Sequence, residues 1–176
     1  MAKDLNTALE TVELTYGQIK QLADDMLFHA FEPINNLVAE ITGRIESMPI
    51  ELLRDYLLRV QLAAFSISEL KDRSGIKAVC AEAIRKEAYA TSYLSQEGTQ
   101  SAKDASATLA IAENIVAQCL YELVASLVKT KLDSLYRLAD TMKSVLMSRM
   151  QEAKFLNLGA SNEVTPTTNG RITLHE

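Results

Sequence analysis

Apolar residues recur at gaps of three and four along most of the chain, which is the period of amphipathic helices. In the first segment, from about Leu5 to Ile45, this spacing predicts a helix. Pro33 lies inside the segment, and because a helical proline lacks a donor and clashes with the preceding turn, we expect it to kink or split the helix. The apolar positions of this segment are Leu9, Val12, Tyr16, Ile19, Leu22, Met26, Leu37 and Ile41.

Two further helices are predicted downstream. Pro49 fits the first turn of a helix, where its missing N–H costs nothing, so a second helix should begin there. Its apolar stripe continues beyond a break signal at Gly75, which predicts one long helix or two stacked pieces ending near Tyr93. The polar segment 95–104 predicts the main loop, and a final helix is expected over residues 105–155.

The final helix carries a heptad seam of the kind found in coiled coils and helical bundles. A helix of about 50 residues is roughly 75 Å long, and a chain of 176 residues has little material to cover such a rod. Its apolar stripe is also wider than a two-stranded seam, so it needs cover on two sides. We therefore expect self-association through the seam, which consists of Val128, Leu132, Leu135, Ala139, Met142 and Leu146.

These elements predict an all-α fold of a few long helices in an elongated, oligomeric bundle or coiled coil. Glycine and proline, at 6 and 3 residues, are too scarce for a turn-rich β architecture. We expect one helical domain over residues 1–157, with an N-terminal helical arm, 1–46, and a helical body, 47–157. Residues 158–176 are predicted to be a tail, either flexible or with a short strand over residues 171–174.

Candidate catalytic chemistry is sparse. The two histidines do not form the paired Glu-x-x-His motifs of a dinuclear bundle site, and the chain has no glycine-rich phosphate-binding loop. Cys80 and Cys119 lie on apolar helical faces and are expected to be small core residues. We therefore predict that the protein is not an enzyme and uses no metal or cofactor. A charge-interrupted N-terminus and no span of about 20 apolar residues predict a cytoplasmic, non-membrane protein.

Charge is unevenly distributed along the chain. The net charge is −5, but residues 1–56 hold 4 basic and 10 acidic residues, whereas the body is neutral to slightly basic. One basic group consists of Lys71, Arg73, Lys77, Arg85 and Lys86, and a second extends from Lys129 to Lys154. Tyr89 and Tyr93 follow the first group at helical spacing, and aromatic rings beside cations can stack on unpaired bases. A solvated basic face with the tyrosines in the core is the alternative.

The stretch Arg85-Lys86-Glu87-Ala88-Tyr89, a polar loop containing glycine and a long helix that includes Ser148-Arg149 together resemble the UvsY-like recombination mediators of phages. The resemblance covers about residues 70–155. It implies a ring-like homo-oligomer in the host cytoplasm that binds single-stranded DNA, helps to load a recombinase and displaces the single-strand binding protein. DNA contact would fall to Lys71, Arg73, Lys77, Arg85 and Lys86, with Tyr89 beside them, and assembly to the seam.

Two other functions fit the same sequence. The first is a structural or scaffolding protein whose long helices assemble into a ring, shell or adaptor without nucleic acid. The second is an adaptor that binds another protein through its acidic N-terminal arm. The acidic first 56 residues depart from the basic pattern of the mediators, which keeps both alternatives open.

Overall fold

The structure is a computed structural model that describes the backbone of residues 2–161 and the side chains of residues 9–155. This part of the chain forms four α-helices and no strand, which confirms the predicted all-α fold class. The helices are α1 (Ala2–Ile41), α2 (Ile50–Ser95), α3 (Gln100–Ala110) and α4 (Ala112–Ser161). The predicted tail begins inside α4, and its residues 162–176, including the strand expected over 171–174, lie outside the described residues.

Helix α1 continues through Pro33, so the expected split at this residue is wrong. Pro33 is itself exposed, whereas Leu27 before it and Ile34 and Leu37 after it are buried in the core. Burial of apolar side chains on both sides of the proline offsets the hydrogen bond that the proline cannot donate. Tertiary packing thus maintains a helix that local propensity disfavours.

Helix α2 is also continuous and passes through Gly75 without a break. The predicted final helix, in contrast, is two helices. Ile111 leaves helical geometry, with φ −104° and ψ 13°, and α3 and α4 meet there at a bend of 56°. The break follows no glycine or proline, but it leaves Ala107 and Ile111 buried at 0% and 3% exposure. Their burial in the folded chain is the physical reason for a bend that periodicity does not reveal.

The core lies between α2 and α4, which are antiparallel and pack more extensively than any other helix pair. Arg149 near the end of α4 donates to the Met48 carbonyl just before α2, which ties the two ends together. Helix α1 lies against one side of this pair and runs parallel to α4, with Asn35 accepting a hydrogen bond from Lys131. Helix α3 packs on the C-terminal part of α2 and makes no contact with α1 within the described residues.

The heptad seam of α4 lies inside this core, which corrects its assignment to self-association. Val128, Leu132, Leu135, Ala139 and Met142 are between 0% and 4% exposed, and Leu146 is half-buried beside them. Their neighbours in the core come from α1 and α2 of the same chain. The side chains that cover the seam belong to the same chain, so the seam presents no open face in the single chain.

Candidate functional site

The six residues predicted to contact DNA share one stretch of α2 but not one face. Arg73 lies two residues after Lys71, about 200° further round the helix. Arg73 and Lys77 accordingly line a cavity of about 520 Å³ beside Met26 of α1. Lys71 lies on the other side of α2, in a cavity that it shares with Lys129 of α4. The structure therefore places the predicted DNA-contacting residues on different sides of α2. It brings Lys71 of the first basic group and Lys129 of the second to the same cavity.

Two of the predicted DNA-contacting cations already have intramolecular surroundings. Lys86 forms an ion pair of 2.6 Å with Glu82, and this hydrogen bond and charge lower the pKa of the Glu82 carboxyl. Arg85 is half-buried, and its buried Nε has no hydrogen-bond partner among the described residues. These cations are consequently less available to a phosphate than an isolated surface lysine.

Tyr89 of α2 contacts α3 of its own chain, which leaves its ring less accessible for stacking on a nucleobase. Its hydroxyl donates a 2.8 Å hydrogen bond to Asp104, which raises the pKa of the tyrosine. Its ring stacks on Tyr93 with centroids 6.2 Å apart and an interplanar angle of 23°, and Lys103 lies 5.9 Å from the Tyr93 centroid. Both rings are half-buried, which agrees more closely with the alternative of tyrosines in the packed interior.

A cavity of about 700 Å³ lies between α2 and α4, and we call it the α2–α4 groove. Small residues from both helices open it, since a Cβ added at Gly75 would meet nothing within 4 Å. Ile76 and Val79 remain 65% and 66% exposed beside it. The groove is lined by Lys71, Asp72, Gly75, Ile76, Val79, Cys80, Ala125, Ser126 and Lys129.

A second unpartnered surface lies on the N-terminal half of α1. Leu9, Val12 and Tyr16 continue the face that is buried further along this helix, yet they are 55%, 63% and 53% exposed. We call these three residues the α1 stripe. Val12 and Tyr16 border a cavity together with Cys119 and Leu123 of α4, and α3, which bends away at Ile111, makes no contact with the described part of α1. The stripe therefore lacks a full intramolecular partner.

A third apolar surface, the α2 stripe, points away from the core. It consists of Leu58, Leu62 and Phe65, which are 55%, 59% and 66% exposed. Sequence periodicity did not identify any of the three surfaces as open, because it reports which face is apolar and not whether another helix covers it. Contiguous exposed apolar surface of this kind marks interaction sites in folded proteins.

The cysteines are exposed and are not the core residues that their apolar surroundings predicted. Cys80 lines the α2–α4 groove, and Cys119 lines a cavity of about 450 Å³ that it shares with Val12 and Tyr16. Both thiols lie on faces of α2 and α4 that the chain leaves uncovered, so an apolar pattern around them did not mean burial.

Metal-binding and membrane-spanning features are limited in the described residues. No group of three or more His, Cys, Asp or Glu side chains there is placed to hold a metal ion. No single helix within that range has the length and apolarity of a membrane span, although α3 and α4 to Phe155, bent by 56°, meet the length and composition criteria as a pair.

None of the family models, curated proteins and solved structures compared with this chain matches it.

Proposed function

We propose that this protein is a non-enzymatic helical assembly protein, which works by self-association through apolar helix faces. The observation that carries the proposal is the coexistence of three such faces on one chain: the α1 stripe, the α2 stripe and the α2–α4 groove. Each fully buried Val or Leu stabilises an association by about 1.5–3 kcal/mol. Exposing this many to water is unfavourable unless another surface covers them.

A second candidate is the role of a single-stranded DNA-binding recombination mediator. Four cations near the middle of α2 and α4 favour it, because Lys71, Arg73, Lys77 and Lys129 form no ion pair or side-chain hydrogen bond in the described part of the chain. They are exposed and lie in or beside the groove region. Assembly would repeat these cations around an oligomer, and phosphate binding by such an array is strongly dependent on salt. The resemblance to the UvsY-like mediators supports the same role.

Light scattering of the full-length chain over a concentration and salt series tests both candidates. The assembly proposal expects a particle mass above that of one 19.4 kDa chain, rising with concentration in the absence of nucleic acid. A monomer at every concentration contradicts it.

The mediator candidate further expects binding of a single-stranded oligonucleotide that weakens steeply as salt increases. Arg73→Glu and Lys77→Glu together should reduce this binding at least tenfold while the particle mass stays the same. Lys20→Glu and Arg44→Glu form a control of equal charge change at exposed positions outside both basic groups. An oligomer that binds no oligonucleotide at low salt removes the mediator role and leaves the assembly role.

A further inference from the structure

We infer that the α1 stripe of one copy docks into the α2–α4 groove of a second copy. This inference rests on the proposed assembly function and names the two surfaces that meet. The apolar side chains of both surfaces are more than half exposed in the single chain. The groove offers Ile76 and Val79, and the stripe offers Leu9, Val12 and Tyr16 at the i, i+3, i+7 positions of one helix face.

The chain's own α1 does not occupy the groove, because it lies on the other side of the α2–α4 pair. Arg73 and Lys77 face a cavity to which α1 contributes Met26 and Leu27. The groove is lined by α2 and α4 alone and shares with that cavity the side chain of Ile76. A helix seated in it would complete a four-helix arrangement, with one helix supplied by another copy.

Charge selects the α1 stripe over the α2 stripe as the occupant. The rim of the groove carries Lys71 and Lys129, with Asp72 as the acidic residue in its lining. Between residues 9 and 19 the α1 stripe is accompanied by Glu10 and Glu13 and by no basic residue. Neither carboxylate forms an ion pair with another described residue, so both are available to the lysines. Opposite charges across an interface favour this pairing and fix its register.

The α2 stripe, in contrast, lies among Arg54, Asp55 and Arg59, a segment of net charge +1. Arg59 also lies over the Tyr56 ring, 5.0 Å from its centroid, and 3.8 Å from a Glu40 carboxylate oxygen, so it stays beside its own chain. Placing this segment at a rim with two lysines would bring like charges together. The α2 stripe is therefore the weaker candidate for the groove.

The α1 stripe and the α2–α4 groove are different surfaces of the same chain. A contact of this type is heterologous, and it generates a closed ring or an open filament unless two copies exchange their stripes reciprocally. In each case the groove of every interior copy is filled, and more than one chain is present per particle. The α1 stripe thus has a specific partner, a second copy of this chain.

Disulfide trapping tests the contact directly, since Cys80 lies in the groove. Val12→Cys in a Cys119→Ser background removes the neighbouring thiol and leaves one donor and one acceptor cysteine. Mild oxidation of this full-length variant should produce covalent dimers and higher species on a non-reducing gel. Adding Cys80→Ser should abolish the higher species and reduce total cross-linking at least tenfold.

The matched control is Leu58→Cys with Cys119→Ser, which places the donor thiol on the α2 stripe. The inference expects weak cross-linking from this control. Equal or stronger cross-linking from Leu58→Cys, or none from Val12→Cys, would overturn the inference.

Charge exchange provides an independent readout of particle mass. Lys71→Glu with Lys129→Glu should weaken assembly at least tenfold, and so should Glu10→Lys with Glu13→Lys. The four substitutions combined should restore most of it, because the pairs are again opposite in sign. If both double variants assemble like the wild type, the inference fails and the proposed assembly function stands. A wild-type chain that never assembles refutes both.

Discussion

Tyr89 and Asp104 connect α2 to α3 through a 2.8 Å hydrogen bond from the phenol to Oδ1 of the carboxylate. Asp104 lies in the first half of the short helix α3, where this bond and the adjacent Tyr93 and Lys103 contact hold it against α2. The bond favours the protonated phenol, and so the pKa of Tyr89 lies above its ordinary value. We therefore expect the docking of α3 on α2 to weaken at high pH, where the phenol loses its proton.

Replacing Tyr89 with Phe should destabilise the protein near pH 7, because Asp104 loses its donor. In the wild type, an unfolded tyrosine releases its proton near pH 10, whereas the folded one retains it to higher pH. The native state then binds more protons than the unfolded state, so the free energy of unfolding falls as pH rises above about 10. The difference in the free energy of unfolding between the wild type and Tyr89→Phe should therefore shrink as pH rises above about 10, which a series of urea denaturation curves at different pH values measures.

Tyr136→Phe is the control for removing the hydroxyl of an exposed tyrosine, since Tyr136 is an exposed residue of α4. Its free energy of unfolding near pH 7 should differ little from that of the wild type. A margin for Tyr89→Phe that stays constant to pH 11 would contradict the pKa assignment.

The positions of most helices could be predicted from the sequence, whereas the side chains that pack against each helix could not. Period and propensity are local properties, and they identified the face of α4 that carries Leu135 and the start of α2 near Pro49. The bend at Ile111 has no local signal, because it depends on burial in the folded chain. The same reason explains why the apolar pattern around Cys80 predicts burial although the residue is exposed: an apolar face shows where burial is favourable, not whether a partner helix is present.

Leu135→Ala should lower the free energy of unfolding by about 2–5 kcal/mol, the usual cost of truncating a fully buried leucine. Leu135 is 1% exposed within the single chain. Because its cavity forms inside one copy, the loss should not depend on protein concentration. Urea denaturation at several concentrations measures both quantities.

Leu58→Ala is the matched control, an identical truncation at a side chain that is 55% exposed. We expect it to cost less than about 1 kcal/mol. If instead the cost of Leu135→Ala changed with protein concentration, the seam would contribute to an interface between copies, as oligomerisation is linked to stability by mass action.

Pro33→Ala should stabilise the protein, because Pro33 lies in the interior of α1 and is exposed. Alanine is favoured over proline by about 3 kcal/mol in a helix interior. Part of this gain is lost because proline also restricts the unfolded chain, so we expect an increase of about 1–2 kcal/mol. Thermal and urea unfolding measure it, with the exposed neighbour Glu32→Ala as a control expected within about 0.5 kcal/mol of the wild type. A destabilised Pro33→Ala would mean that α1 needs the proline's geometry.

Gly75→Ala and Gly17→Ala separate the stability of the helices from assembly. Both glycines lie inside helices, and an added Cβ would meet nothing within 4 Å at either position. Each substitution should therefore raise the free energy of unfolding by about 0.5–1 kcal/mol, because alanine loses less conformational entropy than glycine. Urea denaturation of both variants tests this equality.

Substitutions at Gly75 and Gly17 should differ in their effect on assembly. Gly75 lines the α2–α4 groove, where a methyl group occupies space that an incoming helix needs, whereas Gly17 lies about 100° away from Tyr16 on the α1 surface. We expect Gly75→Leu, a larger version of the same change, to lower the particle mass in light scattering, while Gly17→Leu leaves it close to that of the wild type. Because leucine is also a good helix former, a loss of mass without a loss of helicity locates the effect in the groove. Equal masses for the two leucine variants would show that the groove stays open in the assembled protein.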